Sequence, residues 1–151
     1  MKKVVSFFLC MCLIIAILAV PVSANPNSGM ILVSETVEYI DGDTYVVERI
    51  YIPGICSYSN GKTATKTAEG FYKGATVFSI SLTGHFTYDG TFAVATSASV
   101  AVRANVSGAS LNSKNAYTSG ASAIGSCSVS YVGVTLNKTV TLTCDANGNL
   151  S

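Results

Sequence analysis

The chain has 151 residues, only 11% of them charged, and a formal net charge of +1. So even a balance leaves no basic patch of the kind that nucleic acid or an anionic membrane surface requires of a partner. With few charges to spare, Ser, Thr, Asn and Gly must cover the exterior of whatever folds.

Met1-Lys2-Lys3 is a short basic start, residues 4–20 are almost unbroken apolar sequence, and Pro21-Val22-Ser23-Ala24 follows. Val22 and Ala24 are the small residues that a signal peptidase reads, so residues 1–24 are expected to be a signal peptide cleaved between Ala24 and Asn25. The competing expectation is a retained anchor, for which the apolar run sits at the short edge of the roughly 17–25 residues of a spanning helix. Cys10 and Cys12 lack the small preceding residue of a lipoprotein signal and read as apolar leader residues. Losing the leader removes Lys2 and Lys3 and turns the balance slightly negative. Residues 25–151 suffice for a single domain. The expected localisation is secreted, with cell-surface association compatible and no membrane span after processing.

Export sets the redox setting. Cys56, Cys127 and Cys144 remain, and in an oxidising exterior one disulfide is expected with one thiol left over. Cys127 and Cys144 are the favoured pair because both occupy inward-looking positions in the C-terminal strands, and closing that loop would stabilise the fold by about 3 kcal/mol. Cys56 is then free, or is an alternative partner for either. No metal or other cofactor is expected, since neither CxxC nor a His-Cys cluster occurs.

Residues 30–52 read as a first hairpin turning at Asp41-Gly42. A two-residue loop sets Ile31, Val33 and Val37 opposite Ile52, Ile50 and Val46, but it also opposes Glu35 to Glu48, a destabilising like-charge pair. Pro53-Gly54 breaks the strand, residues 54–61 form a polar loop, and residues 62–72 are a weaker strand bearing Thr63, Thr65 and Thr67. The clearest signal spans residues 75–103. Phe78, Ile80, Leu82, Phe86 and Tyr88 alternate with small polar residues, Asp89-Gly90 follows, and Phe92, Val94, Val100 and Val102 return. A three-residue loop, Tyr88-Asp89-Gly90, places Gly90 at the left-handed position and pairs Phe86 with Phe92, Leu82 with Thr96, Ile80 with Ala98 and Phe78 with Val100. Residues 105–120 read as a loop anchored by Leu111 and Tyr117. Two strands follow, 121–131 and 139–144, turning at Val132-Gly133 or Asn137-Lys138, and 145–151 are expected to be a flexible polar tail. No segment beyond the leader has a 3.6-residue period. Some seven short strands predict an all-β, antiparallel, Ig-like β-sandwich, with a small β-barrel as alternative.

Chemistry-bearing residues are sparse. His85 is the sole histidine and reads as a surface residue on the strand face opposite Phe86; no GxSxG frame accompanies it. Glu35 and Glu48, if opposed, approach the ~5 Å carboxyl separation of retaining glycosidases, though a solvated edge-strand face explains them as well. Asp41-Gly42-Asp43 and Asp145-Ala146-Asn147-Gly148-Asn149 resemble calcium loops but lack the glycine and terminal glutamate of an EF-hand, and turn chemistry accounts for them. Asn105-Val106-Ser107 and Asn137-Lys138-Thr139 are glycosylation sequons only in a eukaryotic secretory route. Small alternating residues over 93–130 are compatible with a pore-forming hairpin, with an apolar face thin for lipid.

The leader, the turn region Thr83-Gly84-His85-Phe86-Thr87-Tyr88-Asp89-Gly90 and the closing Asn137-Lys138-Thr139-Val140-Thr141-Leu142-Thr143-Cys144 resemble small exported β-rich proteins of Gram-positive bacteria that have no assigned activity. The resemblance covers most of the chain beyond the leader and implies secretion and an all-β fold, with no catalytic residue to transfer. In that family one cysteine follows the central turn and another closes the chain; Ala95 stands near the first place here, so the family's disulfide does not carry over. The expectation is a secreted, non-catalytic binding or surface-interaction module for an extracellular protein or glycan, with Tyr39, Tyr45, Tyr51 and Tyr58 as contact residues. The alternatives are a bacteriocin-like or pore-forming effector and, behind it, a glycoside hydrolase using Glu35 and Glu48.

Overall fold

Eight strands follow one another along the chain in a computed structural model that describes residues 29–40, 42–54 and 60–151. They are β1 (Met30–Tyr39), β2 (Thr44–Pro53), β3 (Gly61–Tyr72), β4 (Ala75–Tyr88), β5 (Ala93–Ala104), β6 (Ser110–Ser119), β7 (Ser122–Tyr131) and β8 (Val134–Thr143). β1 to β5 form one antiparallel meander and β6 to β8 a second. The two sheets stack face to face without closing into a barrel, which makes the fold a β-sandwich; every hydrogen-bonded neighbour is also a neighbour in sequence. The expected signal peptide with its expected Ala24/Asn25 cleavage point, Asp41, Cys56 and Tyr58 lie outside the described residues. Among the described residues no helix is long and apolar enough to cross a membrane.

β4 carries the core because, between Phe78 and Phe86, large apolar residues at even positions, interrupted only by Gly84, alternate with Ser79, Ser81, Thr83 and His85. Phe78, Ile80, Leu82 and Phe86 are each at most 4% exposed. They pack against smaller residues of the second sheet, Ala123, Cys127 and Val129 on β7 and Val140 and Leu142 on β8. Glycine permits the close approach of the layers: a Cβ on Gly84 would stand 2.7 Å from the Phe86 ring and 2.9 Å from Ala123. The three-stranded sheet lies over β3, β4 and β5. β1 projects beyond it.

Four local expectations change. In the first hairpin Ile31 does face Ile52, but a bulge at Val33 shifts the rest, so that Glu35 faces Arg49 and Thr36 faces Glu48. The like-charge conflict is removed by inserting one residue. In the central hairpin Gly90 is left-handed (φ 89°) as expected, but the loop is longer. The Asp89 carboxylate accepts from the backbone N–H of Thr91 at 2.8 Å and of Phe92 at 3.0 Å, which draws Phe92 into the turn. Phe86 therefore faces Ala95, Leu82 faces Val100, Ile80 faces Val102 and Phe78 faces Ala104, with the irregularity at Thr96 rather than Gly90. Phe92 is left 60% exposed. Residues 110–119, expected as loop, form β6, whose Leu111 and Tyr117 are exposed rather than anchored; a strand wet on both faces carries no apolar alternation. Residues 145–151 turn back instead of trailing. Thr143 and Ser151 exchange two backbone hydrogen bonds, Gly90 N–H donates to the Ala146 carbonyl, and Lys62 Nζ donates to the Gly148 carbonyl at 2.6 Å.

The favoured disulfide is corrected too. Cys127 and Cys144 are separate buried thiols. Cys127 lies opposite Lys138 on β8, six residues from Cys144, roughly 20 Å along an extended strand. A disulfide requires α-carbons within about 7 Å. Both side chains look inward as expected, at different depths of the sandwich. Burial raises each thiol above its ordinary pKa, with Lys62 offsetting part of the effect at Cys144, so neither is a ready nucleophile.

Candidate functional site

At one end of the sandwich the layers part around a groove of about 640 Å³. Its floor follows from two backbone features. Gly70 on β3 faces Phe78 on β4, and a Cβ at Gly70 would sit 2.2 Å from the Phe78 ring, so only glycine lets the ring lie flat on the neighbouring strand. The register then slips at Phe71, leaving Val77 without an opposed residue on β3 beside Phe78, with both buried. Val46 completes this apolar floor, and Leu136 and Val134 of β8 form the far wall.

Two tight hairpins frame the mouth. Tyr72 faces Ala75 across Lys73-Gly74, and Tyr131 faces Val134 across Val132-Gly133. Both loops take left-handed conformations throughout, with φ of 50° at Lys73 and Val132 and 77° at both glycines. This matches the twist of the flanking strands. Val132 is an unfavourable residue there, because a β-branched side chain crowds its own carbonyl when φ is positive. It is nevertheless 76% exposed, on the rim of the groove. Across the opening the Tyr72 and Tyr131 rings meet edge to face at 6.4 Å and 72°, a geometry that adds about 0.5–1.5 kcal/mol to the burial of the rings. Lys73 Nζ lies 5.3 Å from the Tyr72 ring centroid.

The groove's polar side includes Glu38 and Lys138, which belong to an ion-pair chain that links the layers. Lys138 of β8 lies 2.8 Å from Glu48 and 3.6 Å from Glu38, and Lys66 lies 3.3 Å from Glu48. Partial burial alone would raise the Glu48 carboxyl, but hydrogen bonding and charge from Lys138, with Lys66, outweigh it and hold the pKa below the ordinary value. On the opposite face of the five-stranded sheet Arg49 donates to Glu35 at 2.6 Å and to Glu69 at 2.7 Å. Burial would lower the guanidinium pKa, and the two carboxylates more than restore it.

These contacts separate the residues proposed for glycoside hydrolysis. Glu35 and Glu48 lie on opposite faces of their sheet, each held by its own cations, so they do not form a carboxylate pair across a substrate. His85 is exposed, as expected, with Nδ1 2.8 Å from Thr63 Oγ1. The Asp145 carboxylate is engaged by its own turn, accepting from Asn147, from the Asn149 backbone and from Asn149 Nδ2. Among the described residues no group of His, Cys, Asp and Glu is placed to hold a metal ion. Of the expected contact tyrosines Tyr39 is 75% exposed. Tyr45 is half-buried, stacked on Phe71 at 4.6 Å, and borders the groove. Tyr51 is half-buried, and burial raises its hydroxyl pKa, which Arg49 partly offsets.

Sequence reasoning missed the groove's principal residues, Tyr72, Tyr131, Val132 and Lys138. A signal was present in the repeated pattern Tyr72-Lys73-Gly74 and Tyr131-Val132-Gly133, in which a tyrosine precedes each two-residue turn. Fold and site together define a two-sheet antiparallel β-sandwich, open at one end to an aromatic-rimmed groove. No family model matches the chain, and no curated protein or solved structure was found to match it.

Proposed function

We propose that the chain is an exported, non-catalytic binding module whose groove takes an apolar, ring-bearing ligand with a polar end. The observation that carries this reading is the groove between the Tyr72 and Tyr131 hairpins. Its volume falls within the roughly 300–1,000 Å³ typical of ligand pockets, and an apolar floor beside a few polar groups is their usual composition. The ring lies beside the contacting tyrosine pair and over Phe78, and the polar end meets Lys138, Glu38 and Asn137. A rim held in a strained conformation at Val132 supports the same reading, since such strain concentrates at binding sites.

The test is a fluorescence titration of purified residues 25–151 with anilinonaphthalene sulfonate, a dye with an aromatic body and an anionic end. Saturable binding that is lost in Leu136→Lys, with the far-ultraviolet spectrum unchanged, is the expected result. Equal binding by the variant would contradict the assignment. Release of a dye from liposomes by the same protein would favour the pore-forming alternative over a passive binder.

A further inference from the structure

The five-stranded sheet ends on β1, a strand whose free edge no other described residue covers. Its other edge, β5, runs into the corner with β6, whereas β1 has every residue after Met30 exposed. Ile31, Leu32, Val33, Val37, Tyr39 and the adjoining Ile40 are 47–75% exposed. No lysine or proline stands on β1, although such residues are the usual protection of a free edge. We propose that β1 is a homodimerisation edge: two copies pair their β1 strands antiparallel about a two-fold axis at Thr36, joining the five-stranded sheets into one.

The charge pattern fits a second copy. The carboxylates of the strand are already answered within their own subunit, Glu35 by Arg49 at 2.6 Å and Glu38 by Lys138 at 3.6 Å. Repulsion between like strands is thereby reduced, and no unpaired charge on β1 selects a charged partner. The two-fold at Thr36 also keeps the glutamates apart. Glu35 of one copy faces Val37 of the other, Glu38 faces Ser34, and Val33 and Leu32 meet Tyr39 and Ile40. The bulge at Val33 lies outside the regular stretch 34–38, so pairing there is uninterrupted. Antiparallel pairing of identical strands is the self-complementary contact that two-fold symmetry generates. Six large, half-exposed apolar side chains per copy offer on the order of 1,000 Å² in total, about the lower bound for a specific interface.

Light scattering on a gel-filtration column, with residues 25–151, tests the proposal. A dimeric mass is expected, converted to a monomeric one by Val37→Glu, which sets a like charge opposite Glu35 of the other copy, and by Tyr39→Lys, both exposed positions whose melting curves check folding. In a Cys56→Ser background Thr36→Cys is expected to cross-link under mild oxidation, because α-carbons of directly opposed residues lie within disulfide reach, whereas Ser34→Cys is not. A monomeric mass at the highest soluble concentration would overturn the proposal. So would a dimer indifferent to both variants, or cross-linking at position 34 instead of 36.

Discussion

The two ends of the sandwich are built from the same materials and finished differently. At one end Gly84 seats the Phe86 ring, and the C-terminal turn folds over Tyr88, whose ring leaves no room for a side chain on Gly148. At the other end Gly70 seats the Phe78 ring in the same way. Among the described residues no returning segment covers it there, and two hairpins frame the opening. An aromatic ring on a glycine stabilises the core at either end; what distinguishes a plug from a groove is whether the chain comes back to close it. The closed end is therefore expected to govern stability and the open end to govern binding.

The strongest way to break that comparison is to cut a ring at each end. Phe86→Ala is expected to cost about 3–5 kcal/mol in urea unfolding, the usual range for a fully buried phenylalanine. Tyr131→Ala at the open rim is expected to cost about 1 kcal/mol while weakening binding of the fluorescent dye at least tenfold. Gly70→Ala comes next. Its new methyl would meet Phe78 at 2.2 Å, and such overpacking costs roughly 1–3 kcal/mol. Because it lifts the ring from the groove floor, dye affinity should fall with the melting temperature.

Smaller effects sharpen the contrast. Glu48 has a lowered pKa in the folded state, so the unfolded chain binds more protons and stability rises with pH across that interval. Its contribution is complete above the ordinary carboxylate pKa of about 4.3 and is lost as pH falls through the lower folded value. Glu48→Gln should flatten the acid limb of an unfolding curve by up to roughly 1 kcal/mol, given the partial exposure of the pair. Val132→Asn runs the other way. Asparagine is favoured in a left-handed two-residue turn, and relieving the strain should stabilise by about 1 kcal/mol, raising the melting temperature by roughly 3 °C. Dye binding should weaken as the apolar rim is lost.

Much of the sandwich was legible in the sequence because alternation follows burial. β7 keeps one face inward along its length, and β4 does so from Phe78 to Phe86, so the period of two is plain there. Register was less legible, because it depends on single residues. The Asp89 carboxylate took hold of two backbone N–H groups and lengthened a turn, and the bulge at Val33 exchanged an opposed Glu48 for Arg49. β6 was hidden since it buries neither face. The groove was the least legible element. Tyr72 and Tyr131 are far apart in the chain and meet only because β3 and β7 lie in different layers, and no local pattern encodes how two sheets diverge.

Ligand binding at the open end is the central claim. The most direct measurement is a titration of isotope-labelled residues 25–151 with anilinonaphthalene sulfonate, followed by amide chemical-shift mapping. Saturable shifts confined to Tyr72, Gly70, Phe78, Tyr131, Val132 and Leu136 are predicted, with the closed end around Gly84 and Gly148 silent. Shifts centred on the closed end, or spread evenly over both sheets, would contradict it.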